Sequence, residues 1–158
     1  MKTNRGKYIA TAAVIAALYA ALTLALSPIS YNVVQVRFSE GLTVLALYTP
    51  AAVPGLFVGC FIANILGPGG ITDALFGSLA TLIGCLGARL FRRKPWAALF
   101  ANVIANAVIV GLELRYVFSL EMNPLICMLW IALGEFISVY LPAVIIKPWL
   151  DRNHGKLF

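Results

Sequence analysis

Six apolar stretches alternate with short segments rich in polar residues, proline and glycine. A transmembrane helix needs about 20 mainly apolar residues, and most of the stretches come close to that length. The pattern predicts a single membrane domain, residues 1–158, that is an all-α bundle of six transmembrane helices. Because the second span is too short for a full crossing, we expect it to be tilted or partly re-entrant. The predicted spans are residues 8–26, 36–48, 51–66, 73–90, 96–112 and 124–146.

Helix-breaking residues set the predicted ends of the spans. Ser27-Pro28 follows the first span, and residues 67–70 separate the third from the fourth, which Thr72 or Asp73 is expected to cap. The basic start and the apolar run of residues 9–26 resemble a signal peptide. This run is about 18 residues long, whereas the apolar region of a signal peptide usually has ~7–15. We therefore interpret it as a retained first span.

The composition indicates that lipid is the solvent for most of the chain. Hydrophobic residues make up 61% of the 158 residues and charged residues only 11%, whereas an ordinary soluble domain has roughly 25% charged residues. The formal net charge of +6 does not indicate nucleic-acid binding. The basic residues adjoin apolar runs, whereas nucleic-acid binders spread them along one face.

The basic residues predict the orientation, since cytoplasmic loops of membrane proteins are enriched in lysine and arginine. With both termini in the cytoplasm, only Arg37 and Arg115 of the twelve lysines and arginines fall outside. We expect a multi-pass protein of a bacterial cytoplasmic membrane. The cytoplasmic clusters are Lys2, Arg5 and Lys7; Arg89, Arg92, Arg93 and Lys94; and Lys147, Arg152 and Lys156.

The acidic residues have the opposite distribution. Glu40, Asp73, Glu113 and Glu121 are expected at outer helix ends or in outer loops, with Glu113 in the loop 113–123, and Glu135 lies within the sixth span. A charge at the middle of a membrane helix costs at least ~2.5 kcal/mol, so such residues usually face a cavity or a partner. We therefore expect a site for a small solute near the outer face.

Residues 35–43 form the densest polar cluster of the membrane region. At helical spacing Arg37 and Glu40 are i, i+3 neighbours, and so are Glu40 and Thr43. Two interpretations are open. Glu40 is a ligand-binding carboxylate at the outer mouth of the bundle, or Arg37 and Glu40 form an interfacial ion pair that orients the helix.

The third and fourth spans add three candidates. Asn64 interrupts an apolar run, Asp73 begins the fourth span, and Ser78 follows on the same helix. Asn64 either binds the solute or forms a hydrogen bond between helices, which is worth only ~0.6 kcal/mol on average. Asp73 is either a ligand-binding acid or a helix cap.

The fifth and sixth spans complete the candidate set. Asn102 and Asn106 are i, i+4 neighbours and share a face of the fifth span. Glu135 is far enough inside the sixth span that it must be paired or neutral. Trp130 is either an anchor at the lipid interface or a surface on which a flat ligand stacks.

Residue sets typical of catalysis are not found in the sequence. His154, the only histidine, lies in a polar tail, and the zinc-protease, Walker A and nucleophile-elbow motifs are absent. Cys60, Cys85 and Cys127 lie within apolar runs, without metal-ligand or disulfide spacing. We expect no enzymatic activity, no metal and no cofactor bound by this chain, and any ATP hydrolysis would come from partner proteins.

Alanines crowd the first span at intervals of four residues. One series is Ala13, Ala17 and Ala21, and the other is Ala12, Ala16 and Ala20. Small residues at this spacing allow helices to approach closely. Either one series packs internally while the other contacts a partner protein, or both serve packing within the bundle.

The residues quoted above resemble the QueT family. The resemblance extends over essentially the full length and is most specific in residues 36–44, 49–60, 63–64 and 73–82, with Gly134-Glu135 in the last span. Phe38 and Gly41 stand where isoleucine and alanine would be expected, and the charged positions are intact. QueT proteins resemble the substrate-binding S components of energy-coupling factor (ECF) transporters, which implies a six-helix bundle with its pocket near the outer face.

The resemblance implies uptake of a queuosine precursor such as 7-aminomethyl- or 7-cyano-7-deazaguanine, or of queuine or queuosine. It also implies three partners, a transmembrane coupling subunit and two cytoplasmic ATPases. Ala13 and Ala17, with Ala21 on the same stripe, best match the A-x-x-x-A motif that contacts the coupling subunit, although the register of Ala12 and Ala16 is an alternative.

A 7-deazaguanine presents an N1–H and an exocyclic amine side by side, which Glu40 or Glu135 would accept together, while Asp73 would bind an aminomethyl cation. Asn64, Ser78 and Asn106 would form hydrogen bonds with the carbonyl or the ring nitrogens, and Trp130 would stack on the ring. Two other functions are open, namely an S component for another vitamin-like ligand and a self-sufficient channel or secondary transporter. The second is disfavoured because no inverted repeat is seen. The full set of candidate binding residues is Arg37, Glu40, Asn64, Asp73, Ser78, Asn106, Trp130 and Glu135.

Overall fold

The computed structural model describes residues 5–32 and 34–157, and every regular element within them is a helix. The all-helical class predicted from the sequence is therefore confirmed. The elements are α1 (Arg5–Ala25), the short α2 (Ser27–Ser30), a 3-10 helix (Phe38–Leu47), α3 (Ala52–Ile65), α4 (Gly70–Leu90), α5 (Pro95–Tyr116) and α6 (Pro124–Leu157).

Four of these helices, α1, α4, α5 and α6, are long and apolar enough to cross a membrane. The other two predicted spans are shorter helices: α3 has 14 residues and the 3-10 helix has ten. A 3-10 helix rises about 2 Å per residue and seldom exceeds 3–4 residues. This one is largely buried and contacts α1, α3, α4, α5 and α6. The second predicted span is therefore an element held inside the bundle by its neighbours.

Three predicted helix ends differ from the structure. α4 begins at Gly70 without a side-chain cap, so Thr72 and Asp73 lie within its first turn and the prediction of a cap is wrong. α5 continues to Tyr116, so Glu113 is helical and the predicted loop begins too early. α6 continues through Pro142 and Pro148 to Leu157. α5 and α6 extend beyond the apolar pattern because the helical backbone hydrogen bonds continue into the polar residues that follow it.

The two alanine series of α1 have different environments. A side chain at Gly55 or Gly59 of α3 would lie 2.7 Å from the carbonyl oxygen of Ala12 or Ala16 respectively, so the α1 and α3 backbones approach closely. The series of Ala13, Ala17 and Ala21 is exposed and lies about 100° further around the helix axis. The series of Ala12, Ala16 and Ala20 therefore packs within the bundle, whereas the series of Ala13, Ala17 and Ala21 does not.

Apolar side chains fill the centre of the bundle and also cover its outside. Tyr19, Val44, Leu56, Leu99 and Val139 belong to one buried cluster that joins α1, the 3-10 helix, α3, α5 and α6. Large apolar side chains are exposed along α1, α4, α5 and α6. Since a water-exposed surface of this kind is rare in monomeric soluble proteins, the outside of the bundle is suited to lipid.

Candidate functional site

Glu40 lies at the centre of a buried polar network. It occupies the first turn of the 3-10 helix and is fully buried. Its Oε1 accepts hydrogen bonds from the hydroxyl groups of Tyr19, on α1, and Thr81, on α4, the latter at 3.0 Å. Its Oε2 accepts from Asn102 Nδ2, on α5, at 2.9 Å. These donors come from three helices, so Glu40 ties the 3-10 helix into the bundle.

Glu135 joins the same network through Asn102. The Asn102 amide nitrogen also lies 3.3 Å from Glu135 Oε2, so one side chain bridges two buried carboxylates. Asn106 Nδ2 donates to the Asn102 backbone oxygen at 3.1 Å, one helical turn away. Burial of a charged group without partners is costly, and here amide and hydroxyl donors supply those partners.

Arg37 and Asp73 form a second buried group. Arg37 Nη2 lies 3.4 Å from Asp73 Oδ2, and Arg37 Nε donates to the Ser30 carbonyl at 3.1 Å. The ion pair between Arg37 and Glu40, one of the two interpretations left open by the sequence, is replaced by the pair with Asp73. Arg37 precedes the 3-10 helix in an extended conformation and is not on its helical face. The arginine instead connects the start of the 3-10 helix with α4.

Tyr31 and Asn64 surround this ion pair. The Arg37 guanidinium lies 5.3 Å from the centre of the Tyr31 ring. Burial raises the pKa of Tyr31 to about 12, so its hydroxyl stays protonated and donates to the Ala63 carbonyl at 2.6 Å. Asn64 Nδ2 donates to the Asp73 backbone oxygen at 3.1 Å, and Asn64 Oδ1 has no hydrogen-bond partner among the described residues.

A cavity of about 210 Å³ opens beside the ion pair. It lies at the end of the bundle where α3 turns into α4 and α5 ends, which is opposite the basic turn between α4 and α5. We call this the cavity end. Asp73 therefore borders a space large enough for a small molecule. The lining residues are Tyr31, Gln35, Pro68, Gly69, Asp73, Leu114 and Phe118.

Gly134 allows the segment before the 3-10 helix to lie directly on α6. A side chain at position 134 would collide with the carbonyl oxygen of Val34. The next residue of that segment, Gln35, has a positive φ of 45°. Gln35 also lines the cavity. Glu135 follows Gly134, so this close contact places the cavity lining next to the polar network.

The predicted candidates divide into three sets. Arg37, Asn64 and Asp73 lie together near the cavity, and Glu40, Glu135 and Asn106 meet at Asn102. Ser78 is buried, but its hydroxyl bonds to Leu75 of its own helix at 3.4 Å. Trp130 lies on the surface of α6 and is 41% exposed, which suits the interpretation as an interface anchor.

Two residues of the site escape prediction from the sequence. Tyr19 is placed among alanines and leucines, where a tyrosine is usual in a membrane helix, and only its distance from Glu40 reveals its role. Glu113 was expected in an outer loop, but it is a buried residue of α5. In the described part of the chain, no cluster of histidine, cysteine, aspartate and glutamate is suited to a metal ion.

Comparisons with known proteins give the following relatives. The family model for QueT transporters matches residues 9–152. The chain is 33% identical over 158 positions to the protein named "Queuosine precursor transporter QueT" of Lactococcus lactis subsp. cremoris (strain MG1363). That alignment covers 92% of this chain and 93% of the relative. No solved structure matches.

Proposed function

Because the chain belongs to the QueT transporter family, we propose that it is the substrate-binding S component of an ECF transporter, which captures a queuosine precursor at the extracellular face. Its helices are those of a multi-pass membrane protein. The observation that carries the proposal is the convergence of buried carboxylates, amides and one arginine next to a cavity in an otherwise apolar bundle. Ionisable residues inside membrane proteins usually mark such a substrate site.

Glu135 is the proposed carboxylate for the guanine-like edge of the ligand. Glu40 already accepts hydrogen bonds from Tyr19, Thr81 and Asn102. From the described residues Glu135 accepts only the longer bond from Asn102, and it follows the glycine against which the cavity-lining segment packs. In this proposal Glu135 accepts the N1–H and the exocyclic amine of a 7-deazaguanine, while Glu40 holds Asn102 in position.

The cavity volume favours a free base as the ligand. Pockets for drug-sized molecules are typically about 300–1,000 Å³, and this cavity has about 210 Å³. A single bicyclic base such as 7-aminomethyl- or 7-cyano-7-deazaguanine suits that space better than the nucleoside queuosine, which carries a ribose in addition. Asn64 Oδ1, without a partner among the described residues, is the proposed acceptor for a ring N–H.

The exposed alanine series of α1 is the proposed contact with the coupling subunit. Ala13, Ala17 and Ala21 form a strip of small side chains bordered by exposed Val14 and Leu18. Such a strip permits close approach of another helix. Two cytoplasmic ATPases bound to the coupling subunit would supply the energy, so no enzymatic activity is assigned to this chain, in keeping with a relative that is named a transporter.

The basic turn between α4 and α5 is proposed to face the cytoplasm. It carries Arg92, Arg93 and Lys94, and cytoplasmic loops favour such residues. The cavity end then faces the exterior of a bacterial cytoplasmic membrane, and both termini are cytoplasmic. This orientation places the substrate site on the side from which an importer collects its ligand.

Calorimetric titration of the purified protein with the two 7-deazaguanines tests the substrate. We expect both to bind, and Glu135→Gln to weaken both by about tenfold or more, because a charged hydrogen-bond acceptor is lost. The matched control is Glu121→Gln, since Glu121 is exposed. Unchanged binding by Glu135→Gln, or no binding by the unmodified protein, would contradict the proposal.

Co-purification with an ATPase pair tests the transporter type. Association with a coupling subunit and ATPases, together with no uptake by the chain alone in liposomes, is the expected result. Uptake by the isolated chain would instead identify a self-sufficient channel or secondary transporter.

A further inference from the structure

Glu113 is a buried carboxylate with no hydrogen-bond or ion-pair partner in the part of the chain that the structure describes. It lies in the last turns of α5 and is 2% exposed. Neither Oε1 nor Oε2 has a hydrogen-bond partner among the described residues. A carboxylate taken out of water without hydrogen bonds or a counter-charge is strongly unfavourable, so Glu113 is either uncharged or has a partner that comes from outside the chain.

The position of Glu113 connects it with the cavity end. Asn102, Asn106 and Glu113 lie within about 40° of one another around the axis of α5, because 11 residues make just over three full turns. Glu113 therefore shares the helix face of the polar network. The next residue, Leu114, lines the cavity, and the Glu113 carbonyl accepts a bond from Phe118, which also lines it, at 3.1 Å.

The charges around the cavity are unbalanced. Glu113 is within electrostatic reach of Arg37 and Asp73, but the arginine is already paired with Asp73 at 3.4 Å. Asp73 was expected from the sequence to bind a cationic substituent, and its ion pair makes it a poor candidate for that role. Among the described residues Glu113 forms no ion pair, and Arg115, two positions further along α5, donates to the Leu120 carbonyl at 3.3 Å. Glu113 is therefore a buried acid at the cavity end without a counter-charge in contact.

We propose that Glu113 binds a protonated amine of the substrate and so selects a cationic ligand over a neutral one of the same shape. This inference rests on the proposed function, because it assigns a specificity to the same site. An ammonium group offers up to three N–H donors, and the two oxygens of Glu113 are two unused acceptors. The 7-aminomethyl compound carries such a group, and the 7-cyano compound presents a neutral nitrile at the same position.

The competing interpretation is that Glu113 is held uncharged and only fills space. In that case glutamine, which has nearly the same shape, would replace it with little effect on either ligand. A ligand pair that differs at one substituent separates the two interpretations, because only charge recognition affects one ligand more than the other.

The experiment is calorimetric titration of the full chain with each of the two compounds, for the unmodified protein, Glu113→Gln, Glu113→Asp and the exposed control Glu121→Gln. We expect Glu113→Gln to weaken the aminomethyl compound by about tenfold to a hundredfold, the range for a hydrogen bond to a charged group. The same variant should change the affinity for the cyano compound by less than about threefold, which also shows that the variant is folded. Glu113→Asp should retain more of the preference for the amine than Glu113→Gln.

Three results would overturn the assignment. They are an equal loss for both compounds, no loss for either, and a loss of amine preference in Glu121→Gln as large as that in Glu113→Gln. If Glu113→Gln does not fold, Glu113→Asp decides. Its shorter side chain should weaken the aminomethyl compound more than the cyano compound, and an equal effect on both compounds, or no effect on either, would overturn the assignment. Binding of neither compound by the unmodified protein would instead contradict the proposed function itself.

Discussion

Arg37 and Asp73, 36 positions apart in the chain, form a buried ion pair between the start of the 3-10 helix and the first turn of α4. The arginine also donates to the Ser30 carbonyl. One guanidinium thus holds three segments together at the cavity end. The structure there depends on this pair, because removing one member leaves the other charge buried without compensation.

Asp73→Asn is therefore expected to destabilise the protein strongly. Loss of one partner of a buried ion pair typically costs about 3–5 kcal/mol. Thermal unfolding of the purified protein in detergent measures the effect as a lower midpoint. The asparagine cannot balance the charge of Arg37, although it retains the size of the side chain.

The matched control for this prediction is Lys147→Ala. Lys147 and Asp151 form an i, i+4 ion pair at 2.7 Å with the Asp151 side chain half exposed, and exposed pairs contribute at most about 1 kcal/mol. Equal shifts of the unfolding midpoint in the two variants would show that the buried pair is not a principal support of the fold.

Gly134→Ala is predicted to disturb the segment before the 3-10 helix. The added methyl group would collide with the Val34 carbonyl oxygen, and overpacking of this kind typically costs about 1–3 kcal/mol. We expect a lower unfolding midpoint and weaker ligand binding, because the displaced segment includes Gln35 of the cavity lining.

Gly155→Ala serves as the control for Gly134→Ala. Gly155 also lies in α6, but a side chain there meets no atom within 4 Å. Alanine is preferred to glycine in a helix by roughly 1 kcal/mol, so this variant should be neutral or slightly more stable. Identical behaviour of the two variants would argue against the close contact at Gly134.

The helices could be predicted because apolar runs of about 20 residues identify segments that are removed from water. The pattern does not tell burial in lipid from burial in protein, and this is why it could not show that the 3-10 helix is surrounded by the other helices of the bundle. Its position is set by contacts with five other helices. The ends of α5 and α6 were missed for a related reason, since helical hydrogen bonding continues past the last apolar residue.

The site was predictable in its residue types and only partly in its pairings. Glu40, Asp73 and Glu135 were singled out because charges in apolar spans need a reason, and the structure buries all three. The pairing of Arg37 could not be derived from helical spacing, since it depends on the extended backbone before the 3-10 helix. Glu113 was missed because its burial follows from the additional turn of α5.

Asn102→Ala is predicted to destabilise the polar network more than an ordinary hydrogen-bond deletion does. The amide donates to Glu40 at 2.9 Å and lies 3.3 Å from Glu135, so its removal takes one donor from each of two buried carboxylates. Hydrogen bonds to charged groups contribute about 1.5–3 kcal/mol each. Thermal unfolding should show a clear decrease of the midpoint.

Asn153→Ala is the control for Asn102→Ala. Asn153 donates one bond, at 2.9 Å, to the Trp149 carbonyl of its own helix at an exposed position, and such neutral bonds contribute about 1 kcal/mol or less. If both asparagine variants unfolded at the same temperature, the two carboxylates would not depend on the Asn102 bridge.

Ala17→Leu is predicted to separate ligand binding from transport. Ala17 is exposed on α1 and contacts neither the cavity nor the polar network. The larger side chain should therefore leave folding and ligand affinity unchanged. It should prevent the close approach of a partner helix on this strip, and so abolish co-purification with the coupling subunit and uptake by the assembled transporter.

Ala97→Leu, at an exposed position of α5, adds the same volume elsewhere and should retain both co-purification and uptake. Retention of the coupling subunit by Ala17→Leu at the level of Ala97→Leu would remove α1 as the contact surface. Weaker ligand binding in Ala17→Leu alone would show that this face of α1 supports the substrate site, since a purely external strip has no means of affecting it.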